Sequence, residues 1–592
     1  MTPTRWLAAG LMTVMAVVLI GVSREDSATV DEASHLGVGY LYWKGAHTRF
    51  GAEEHPPLES LIESFPLLFM QIKLSDTAQA MERGELGYPW TVSWAGQIKS
   101  VQQILEPGCQ GQYVQIPPLG DRLVEWHCPS RYPLDNWYYQ AVPEAQMFGK
   151  VFVYGGANDA DAMLFAGRLG QILLTLLTGV VIVFWTHRAT GQDSAAVIAL
   201  AVWVFNPVAL AYGHVANTDI GVAFGITLSA FLFSQLAEEP TVKYALMSGV
   251  ATGLAMSMKY TTLLLAPTYL ILSVMAWRRS NLSISNIGKL AAVFFIAGWC
   301  VALVVFWPFA SPAPAPTQTD LTLFDVPGWF KTLRPLLVPS GLFKGLAIAM
   351  AHSKIGTDSY LMGQWSRGGW WYYFPLAFLF KTPVAYVILV VSGFLLFVPK
   401  VTTARLSEFV TWLGAGVYLF WTMSSGINIG VRHLLPMMSL LSVGIGCAFS
   451  RLTDRWLRCT TLGLIGWQAV VVLAAYPFYI QFFSEAVGGA RNGYKYLIDS
   501  NYDWGQDARR LRNFLQDNGI DHIYLDYFGN QFSIEYLKIP NTRVNAETAR
   551  QIRQGTLVVS ASQLMRPEWN WLRESRQPLA RVAYTLFVYQ LP

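Results

Sequence analysis

Charged residues are scarce in this chain: only 14% of its 592 residues are Asp, Glu, Lys or Arg, whereas 53% are hydrophobic. So little charge cannot cover the surface of a soluble protein of this length, which excludes that class. Basic blocks are absent and the formal net charge is only +4, which argues against a nucleic-acid partner. The chain also lacks a glycine-rich nucleotide-binding loop. These absences indicate a membrane protein.

Long apolar segments recur along the chain. The first, 6–22, carries no charge and is long enough to cross a bilayer, so we interpret it as a retained span rather than a cleaved signal peptide. Further spans are predicted near 163–186, 193–211, 219–236, 243–259, 261–277, 288–308, 377–399, 407–424, 433–450 and 456–479. With the first segment, the sequence predicts a polytopic α-helical protein with about eleven transmembrane helices.

Basic residues in alternate short connections predict the orientation of these spans. With the N-terminus in the cytoplasm, the inner connections carry His187, Arg188, Lys243, Arg278, Arg279, Lys289, Lys400, Arg405, Arg451, Arg455 and Arg458. This is the positive-inside bias. An odd number of spans then places the C-terminus and the long loops 24–160 and 309–376 outside. We expect a bacterial plasma (inner) membrane protein whose loops face the periplasm or exterior.

Two acidic and histidine-containing stretches follow the first span. Asp31-Glu32-Ala-Ser-His35 comes first, and Glu-Glu-His55-Pro-Pro-Leu follows it. If the first stretch is helical, Asp31 and His35 lie one turn apart on the same face. A carboxylate held there can accept a proton or bind a cation. The alternative is a capped helix after a membrane anchor, with its acids facing water.

Ionisable residues also stand at the predicted outer ends of several spans. Such residues are costly in a bilayer and tend to mark function. They are Arg168, Asp219, Lys259, Lys381, Arg432 and His433. Each has an alternative structural role, since Lys and Arg side chains reach from helix ends to the interface, and Asp219 could cap a helix. Their common placement on the face that carries Asp31 favours a site.

The outer loops contain three further features. The apolar stretch 57–73 includes Glu59 and Glu63, which favours a helix at the membrane interface over a span. Cys109 and Cys128 lie beside turn residues, which predicts a disulfide if this side is oxidising; two unpaired thiols are the alternative.

The aromatic cluster at 363–374 is typical of a membrane-interface belt, although it could also pack against a lipid chain or a sugar ring.

The last hundred residues have the pattern of a small α/β domain. Asp503 and Gln506 fit a capping box for a helix over 504–518 that ends at Asn518-Gly519. Apolar, β-rich runs follow at 520–528, 556–561 and 581–590. We therefore divide the chain into a transmembrane domain, 1–480, which includes the two long loops, and an extracytoplasmic domain, 481–592.

The motifs together resemble the GT-C superfamily of membrane glycosyltransferases, in the branch of protein O-mannosyltransferases and lipid A aminoarabinose transferases. The resemblance covers nearly the whole chain. It rests on Asp31-Glu32-x-x-His35, His55-Pro56-Pro57-Leu58, Gly167-Arg168, Asn217-Thr218-Asp219, Lys259-Tyr-Thr, Arg432-His433-Leu-Leu-Pro436 and Asp499-Ser-Asn-Tyr-Asp503-Trp504-Gly-Gln506. One departure is His55, which stands where aminoarabinose transferases have Lys before Pro-Pro.

The resemblance implies a GT-C fold and an inverting transfer of a sugar from a polyprenyl-phosphate donor to an acceptor hydroxyl on the outer face. The acceptor is a lipid, a glycan or a protein. A donor that carries its own lipid fits the missing nucleotide loop.

The implied roles follow the chemistry of this reaction. Asp31 is the base, with Glu32 and Asp219 as further catalytic acids. The cations expected to bind the donor phosphate are Arg168, Lys259, Lys381 and Arg432. His35, His55 and His433 are expected to bind substrate. We commit to no cofactor, because family members differ in their use of metal, but zinc or manganese at Asp31, His35 and His55 is chemically reasonable.

Two other functions are compatible with parts of the pattern. A transporter or flippase for lipid-linked glycans would use the many spans and the basic groups, but the expected inverted repeats and broken mid-membrane helices are missing. A non-catalytic receptor with a folded outer domain would leave Asp31 and His55 unexplained.

Overall fold

The structure is a computed structural model that describes residues 3–45, 55–83, 93–94, 110–115, 122–127, 148–280, 282–306, parts of 342–353, and 356–591. Cys109 and Cys128 lie outside the described residues, so their pairing stays a prediction. Within the described chain the first helix is Pro3–Glu25, and the short helix Glu32–Trp43 follows it.

Seven helices in the described ranges are long and apolar enough to cross a membrane. They are Pro3–Glu25, Ala160–Thr190, Thr218–Glu238, Tyr260–Arg279, Ile284–Phe306, Val431–Ser450 and Arg455–Ala474. A bent pair, Tyr373–Lys381 and Val384–Lys400, gives an eighth if it counts as one span. The predicted polytopic α-helical membrane fold is confirmed.

Three of the eleven predicted spans belong neither to the seven long helices nor to the bent pair. Asp193–Val204 has 12 residues, whereas Val242–Met258 and Leu406–Thr422 have 17 each. All three pack among the longer helices, and Trp203 on the first of them is fully buried. The number eleven therefore stays a prediction, because length and composition alone support seven or eight spans among the described residues.

The helices differ in how much protein surrounds them. In Val431–Ser450, 89% of the apolar window is buried inside the protein, whereas the value for Ile284–Phe306 and Arg455–Ala474 is 17%. Val431–Ser450 therefore forms the centre of the bundle, and we call it the central helix. The other two helices present apolar side chains to the surroundings. Arg432 and His433, at the start of the central helix, are consequently held at the middle of one end of the bundle.

The stretch after Pro57 forms the helix Leu58–Ser64 and a 3₁₀ turn, Phe65–Phe69. This segment is not among the helices long enough to span a membrane, and its placement at the membrane interface stays a prediction. Glu59 and Glu63 are fully buried inside the protein. Both carboxylates accept from the side-chain amide of Gln171, and Glu59 also accepts from the backbone N–H of Gly221. Glu59 thereby satisfies an otherwise free N–H in the first turn of Thr218–Glu238.

The C-terminal region contains the predicted α/β fold. Its five-stranded sheet has the order Asn541–Arg543, Ile523–Asp526, Gly555–Ser560, Leu586–Leu591 and Ala580–Val582. The first three strands pair in parallel, and the remaining pairs are antiparallel. The helices Ala508–Asp517 and Gln531–Tyr536 accompany the sheet, and their buried apolar residues pack in one cluster with residues of the strands.

The predicted capping box at Asp503 and Gln506 is wrong. The helix begins at Ala508 rather than at 504, and Asp503 accepts from the backbone N–H of Ser562 at 2.8 Å. Gln506 accepts from the N–H of Trp504 and donates to the carbonyl of Tyr502, which fixes a turn before the helix. The predicted end at Asn518 is confirmed, because Gly519 adopts φ of +61°, which ends the helix.

The stretch 26–30, between the first helix and Asp31, is bound to both the C-terminal domain and the membrane helices. Residues Ser27 and Val30 donate backbone hydrogen bonds to the carbonyls of Gln506 and Trp504, at 2.8 and 3.1 Å. Arg510 contacts Asp26, which also contacts His214 at 2.9 Å. The stretch that leads into Asp31 is therefore held between the bundle and the C-terminal domain. The boundary at residue 480 stays a prediction.

Candidate active site

Asp31 lies at the N-terminal end of the helix Glu32–Trp43. It directly follows the stretch 26–30, which is held between the bundle and the C-terminal domain. Its backbone carbonyl accepts from the N–H of His35 at 3.3 Å, so the predicted helical turn between these residues is confirmed. Its side chain is 33% exposed and faces Arg432, with Oδ2 3.7 Å from Nη1. Asp31 thus offers an accessible carboxylate beside a cation.

Asp219 forms the buried centre of the site. Asn217 caps the helix Thr218–Glu238 by accepting from the N–H of Asp219, which fixes the carboxylate at the helix start. Lys259 Nζ lies 2.5 Å from Oδ1 of Asp219. His433 Nδ1 lies 3.4 Å from the same oxygen, and Arg432 Nε lies 3.4 Å from Oδ2. One acid therefore organises three basic groups from two other elements.

Arg432 connects the two acids. It lies within 4 Å of both Asp31 and Asp219, and its guanidinium stacks 4.2 Å from the ring centroid of Trp504. Its Nε is buried without a hydrogen-bond partner. A guanidinium that is positioned by a ring and by two carboxylates 3.7 and 3.4 Å away keeps N–H groups available for an incoming oxyanion.

The C-terminal domain contributes Asp499 and Trp504 to this region, and sequence reasoning assigned neither to the site. Both belong to the 499–506 motif, and this motif is the sequence feature that could have assigned them to the site. Burial raises the pKa of Asp499 to about 6, while the backbone N–H of Ser500 and the charge of Arg432 oppose that rise. Asp499 therefore lies within electrostatic range of the Arg432 and Asp31 pair.

The two predicted histidines of the N-terminal motifs lie near each other. The rings of His35 and His55 are 6.0 Å apart, and His35 Nδ1 lies 3.3 Å from Ser60 Oγ and 3.9 Å from Glu63 Oε2. Burial lowers the pKa of His35, although the charge of Asp31 acts in the opposite direction. A neutral imidazole is consistent with a hydrogen bond to a hydroxyl.

The proposed metal set of Asp31, His35 and His55 is not assembled. Within the part of the chain that the structure describes, no group of three His, Cys, Asp or Glu side chains could hold a metal ion. In this arrangement His35 instead contacts Ser60 and Glu63. These residues therefore do not fit the expected metal centre, and no catalytic step is assigned to one.

Arg168 and Glu32 do not take their predicted roles as a phosphate ligand and a catalytic acid. Arg168 is 1% exposed and Glu32 is fully buried. The guanidinium donates from Nε and Nη2 to the two oxygens of Glu32, and its other N–H groups donate to the carbonyls of Ser23, Asp26 and Ser27. All five N–H donors are used, so the pair fixes the chain before Asp31.

Lys381 is also occupied elsewhere. Its buried ammonium donates to the carbonyls of Ile480 and Asn501, at 2.8 and 2.6 Å, and lies 4.5 Å from the ring centroid of Phe483. The predicted role in phosphate binding does not fit this geometry. Lys381 instead holds the segment between the last membrane helix and the C-terminal domain.

Comparisons with known proteins support the predicted resemblance. Residues 160–310 match the family model described as dolichyl-phosphate-mannose-protein mannosyltransferase. No curated protein matches the sequence. The resemblance to the superfamily of lipid-phosphate-sugar-dependent membrane glycosyltransferases is confirmed.

Two solved structures share weak similarity with the whole chain. One is ArnT from Cupriavidus metallidurans bound to undecaprenyl phosphate, with 12% identity, a TM-score of 0.45, and coverage of 100% of this chain and 98% of that chain. The other is the same protein in the apo state, with 12% identity, a TM-score of 0.44, and coverage of 98% and 97%.

Proposed function

We propose that this protein is an inverting membrane glycosyltransferase. It moves a sugar from a polyprenyl-phosphate donor to an acceptor hydroxyl on the extracytoplasmic face of a bacterial inner membrane, with Asp31 as the base. The family match over residues 160–310 supports the class of enzyme. The observation that carries the proposal is the accessible carboxylate of Asp31 beside the Arg432 guanidinium.

Among the three acids predicted to be catalytic, only Asp31 can meet an acceptor. Its side chain is 33% exposed, whereas that of Asp219 is 2% exposed and that of Glu32 is fully buried. Glu32 is also neutralised by Arg168 at 2.7 Å. A general base must reach the proton that it abstracts, which favours Asp31.

The reaction is a displacement at the anomeric carbon of the donor. The acceptor hydroxyl gives its proton to the Asp31 carboxylate while its oxygen forms the new bond to the anomeric carbon. The bond between that carbon and the phosphate oxygen breaks, and its electron pair leaves with the polyprenyl phosphate. Attack from the face opposite the phosphate inverts the configuration.

Arg432 and Lys259 stabilise the leaving phosphate. Negative charge grows on the phosphate oxygens as the bond breaks, and fixed cations nearby lower the energy of that state. Asp219 is a positioning residue, because it holds Lys259, Arg432 and His433 through contacts of 2.5–3.4 Å. It also offsets part of their charge, which lets two cations remain together in a buried site before the donor arrives.

The proposed face follows from the distribution of basic residues. Arg188, Arg279, Arg405 and Arg451 lie at the opposite ends of the helices from Asp219 and Arg432. The positive-inside bias puts those basic ends in the cytoplasm. The site then faces the periplasm or the exterior, where a lipid-linked donor lies with its phosphate at the interface.

The proposal can be tested with the full-length protein in lipid nanodiscs. Undecaprenyl-phosphate sugars, each labelled in the sugar, are incubated with the protein and a membrane extract as acceptor source. We expect label to leave the lipid for one of the sugars and to appear in an acceptor fraction, with release of undecaprenyl phosphate. Movement of intact labelled lipid between leaflets of proteoliposomes, without cleavage, would instead identify a flippase.

A further inference from the structure

The helix Leu406–Thr422 packs against a neighbouring helix on each of two flanks. On one flank, Trp412 contacts Phe394 and Phe397 of the helix Val384–Phe397, with ring centroids 5.7 and 5.9 Å apart. These aromatic contacts hold the two helices together near the end of the bundle where Val384–Phe397 finishes.

The second flank faces the helix Ala266–Arg279. Gly414 lies opposite Thr268, whose Cγ2 would be 3.9 Å from a Cβ added at that glycine. This is an ordinary van der Waals distance, so the glycine lets the two helices approach closely. The helix Leu406–Thr422 therefore contacts both neighbours directly.

The face between these two contacts is apolar and open. Successive helical residues are rotated by about 100°, so Leu413 points between the two contact positions on either side of it in sequence. Phe409, Gly416 and Phe420 share that face by their spacing. Gly416 and Phe420 are exposed, whereas Phe409 and Leu413 are half-buried. An open apolar strip between two flanking helices forms a groove.

The groove has the dimensions and surroundings of a binding site for a lipid chain. A helix of 17 residues is about 25 Å long, whereas the hydrocarbon of one leaflet is about 15 Å thick. The flanking helices add exposed apolar side chains, including Leu395 and Val398 on one side and Leu270 and Val274 on the other. The groove therefore opens toward hydrocarbon rather than toward water.

A tight turn joins the flanking helices at one end of the groove. Thr403 and Ala404 donate backbone hydrogen bonds to the carbonyl of Lys400, at 3.0 and 2.7 Å. Arg279, the last residue of its helix, donates from its two terminal nitrogens to the carbonyls of Ala404 and Thr402, each at 3.3 Å. These contacts bring the side chains of the turn and the end of the other helix together.

Four exposed cations surround this turn. They are Arg278, Arg279, Lys400 and Arg405. In the part of the chain that the structure describes, none of the four forms an ion pair with an acid. Other arginines at the same end of the bundle are paired, since Arg188 contacts Glu239 and Arg451 contacts Glu408. The turn therefore carries a local excess of positive charge.

The cations at the turn have donors to spare. Arg279 uses two of its five N–H groups on backbone carbonyls, which leaves three for another acceptor. A phosphate diester accepts from arginine and lysine in this way. Basic pockets at the cytoplasmic ends of transmembrane helices bind anionic lipid headgroups by the same chemistry. A free phosphate would match the charge but would leave the apolar groove without an occupant.

We propose that this groove binds an anionic phospholipid of the phosphatidylglycerol type. Its phosphate contacts Arg279 and Lys400, and an acyl chain lies along the open face of Leu406–Thr422. The positive-inside bias puts this headgroup in the cytoplasmic leaflet. The site lies at the opposite end of the bundle from Asp219 and Arg432, so it is separate from the proposed donor site and does not rest on the proposed function.

The test counts lipids bound to the full-length protein by native mass spectrometry in detergent. The probes are dioleoylphosphatidylglycerol, dioleoylphosphatidylcholine with the same chains, and glycerol 3-phosphate, which has a phosphate without chains. Undecaprenyl phosphate is measured in parallel. The charge variant combines Arg279→Gln with Lys400→Gln. Its matched control combines Arg5→Gln with Lys243→Gln, which removes two exposed cations at the same end of the bundle from other helices.

A second pair of variants tests the groove without changing any charge. Outside the backbone of its own helix, a Cβ added at Gly416 would have no described atom within 4 Å, so Gly416→Phe fills the groove without displacing protein. Gly463→Phe is the control, because Gly463 is equally open on the exposed face of Arg455–Ala474. Thermal unfolding without added lipid verifies that each variant is folded.

We expect phosphatidylglycerol to bind more tightly than phosphatidylcholine, and glycerol 3-phosphate to bind far more weakly than either. The affinity for phosphatidylglycerol should fall about thirtyfold in the charge variant, because each cation contributes about fivefold. Gly416→Phe should weaken it about tenfold, since the ring displaces roughly two methylene groups of the chain. Both controls should bind phosphatidylglycerol as the unaltered protein does.

Three results would overturn the inference. The first is equal affinity for the two phospholipids, and the second is equal phosphatidylglycerol binding in the charge variant and its control. The third is a loss of undecaprenyl phosphate binding, in place of phosphatidylglycerol binding, in the charge variant and in Gly416→Phe, which would assign the groove to the donor. If one altered protein does not fold, the other variant and its control still decide between these outcomes.

Discussion

Arg168 and Glu32 form a two-point ion pair inside the protein, with Nε and Nη2 of the guanidinium 2.8 and 2.7 Å from the two carboxylate oxygens. The pair joins the helix Ala160–Thr190 to the turn that presents Asp31. Glu32 also accepts from the backbone N–H groups of Thr29 and Ala216. The residue next to the proposed base is therefore a structural anchor.

Replacing Arg168 should therefore unfold the site rather than remove one donor contact. Removal of one member of a buried pair leaves the other charged and unpaired, at a cost of about 3–5 kcal/mol. We expect Arg168→Ala to lower the thermal unfolding temperature strongly. Arg168→Lys should restore part of the loss, since an ammonium has three donors in place of five. A fully stable Arg168→Ala that loses only undecaprenyl phosphate binding would show that Arg168 binds donor.

The buried carboxyls of Glu59 and Glu63 predict a pH-dependent stability. Burial raises the pKa of Glu59 to about 8, and burial together with the charge of Glu59 raises the pKa of Glu63. A carboxyl that binds its proton more tightly when folded favours folding while it is protonated. Its contribution is fully present below about pH 4.5 and is lost as the pH rises through about 8.

Glu59→Gln tests this dependence, because the amide resembles the protonated carboxyl and keeps an oxygen for Gly221. At pH 8.5 we expect Glu59→Gln to be more stable than the unaltered protein, on the order of 1 kcal/mol. The difference should shrink toward pH 5, as followed by thermal unfolding in nanodiscs. Glu568→Gln, at an exposed position, is the control. A constant difference between the two pH values would contradict the assignment.

The ion-pair network at Arg510 should hold the C-terminal domain on the bundle. Arg510 contacts Asp26 at 2.8 Å and Asp507 at 2.5 Å. We expect Arg510→Gln to increase amide hydrogen exchange in 24–30 and 503–507 together, because both stretches lose a shared partner. Arg512→Gln removes a charge from the same helix that has no ion pair among the described residues, so it is the matched control. Unchanged exchange in either stretch would argue against the network.

Trp504 should affect donor binding through Arg432. The guanidinium lies 4.2 Å from its ring centroid, and cation–π contacts contribute about 0.5–2 kcal/mol. Trp504→Leu should therefore weaken undecaprenyl phosphate binding by about two- to thirtyfold, with Trp504→Phe intermediate. Trp456→Leu, at a residue that is 82% exposed, controls for loss of a tryptophan. Equal donor affinity in all variants would remove Trp504 from the site.

The sequence was most informative where a residue's position follows from its own helix. Hydrophobic segments placed the long helices, and their ends brought Asp219, Lys259, Arg432 and His433 to one face, as expected. The contacts between these residues join positions 40–214 apart in the chain, so their distances depend on how the helices pack. The helix ends nevertheless restrict all four residues to the same end of the bundle. The charged site was therefore predictable as a group, although its distances were not.

Partners that are distant in sequence explain the incorrect predictions. Glu32 and Arg168 are 136 residues apart, and nothing in either motif shows that they neutralise each other. The burial of Glu59 could not be predicted either, because its partners, Gln171 and Gly221, come from other helices. The local sequence pattern predicted a capping box at Asp503. The carboxylate of Asp503 instead accepts a hydrogen bond from the backbone N–H of Ser562, which is distant in sequence.

The central claim is that Asp31 is the catalytic base, and single-turnover transfer with Asp31→Asn tests it most directly. The protein in nanodiscs is preloaded with its labelled undecaprenyl-phosphate sugar, mixed with acceptor, and quenched over time. A base typically contributes about 10²–10⁴-fold in rate, so Asp31→Asn should retain donor binding and lose at least about a hundredfold in transfer. If it kept more than about a tenth of the normal transfer rate, Asp31 would not be the base.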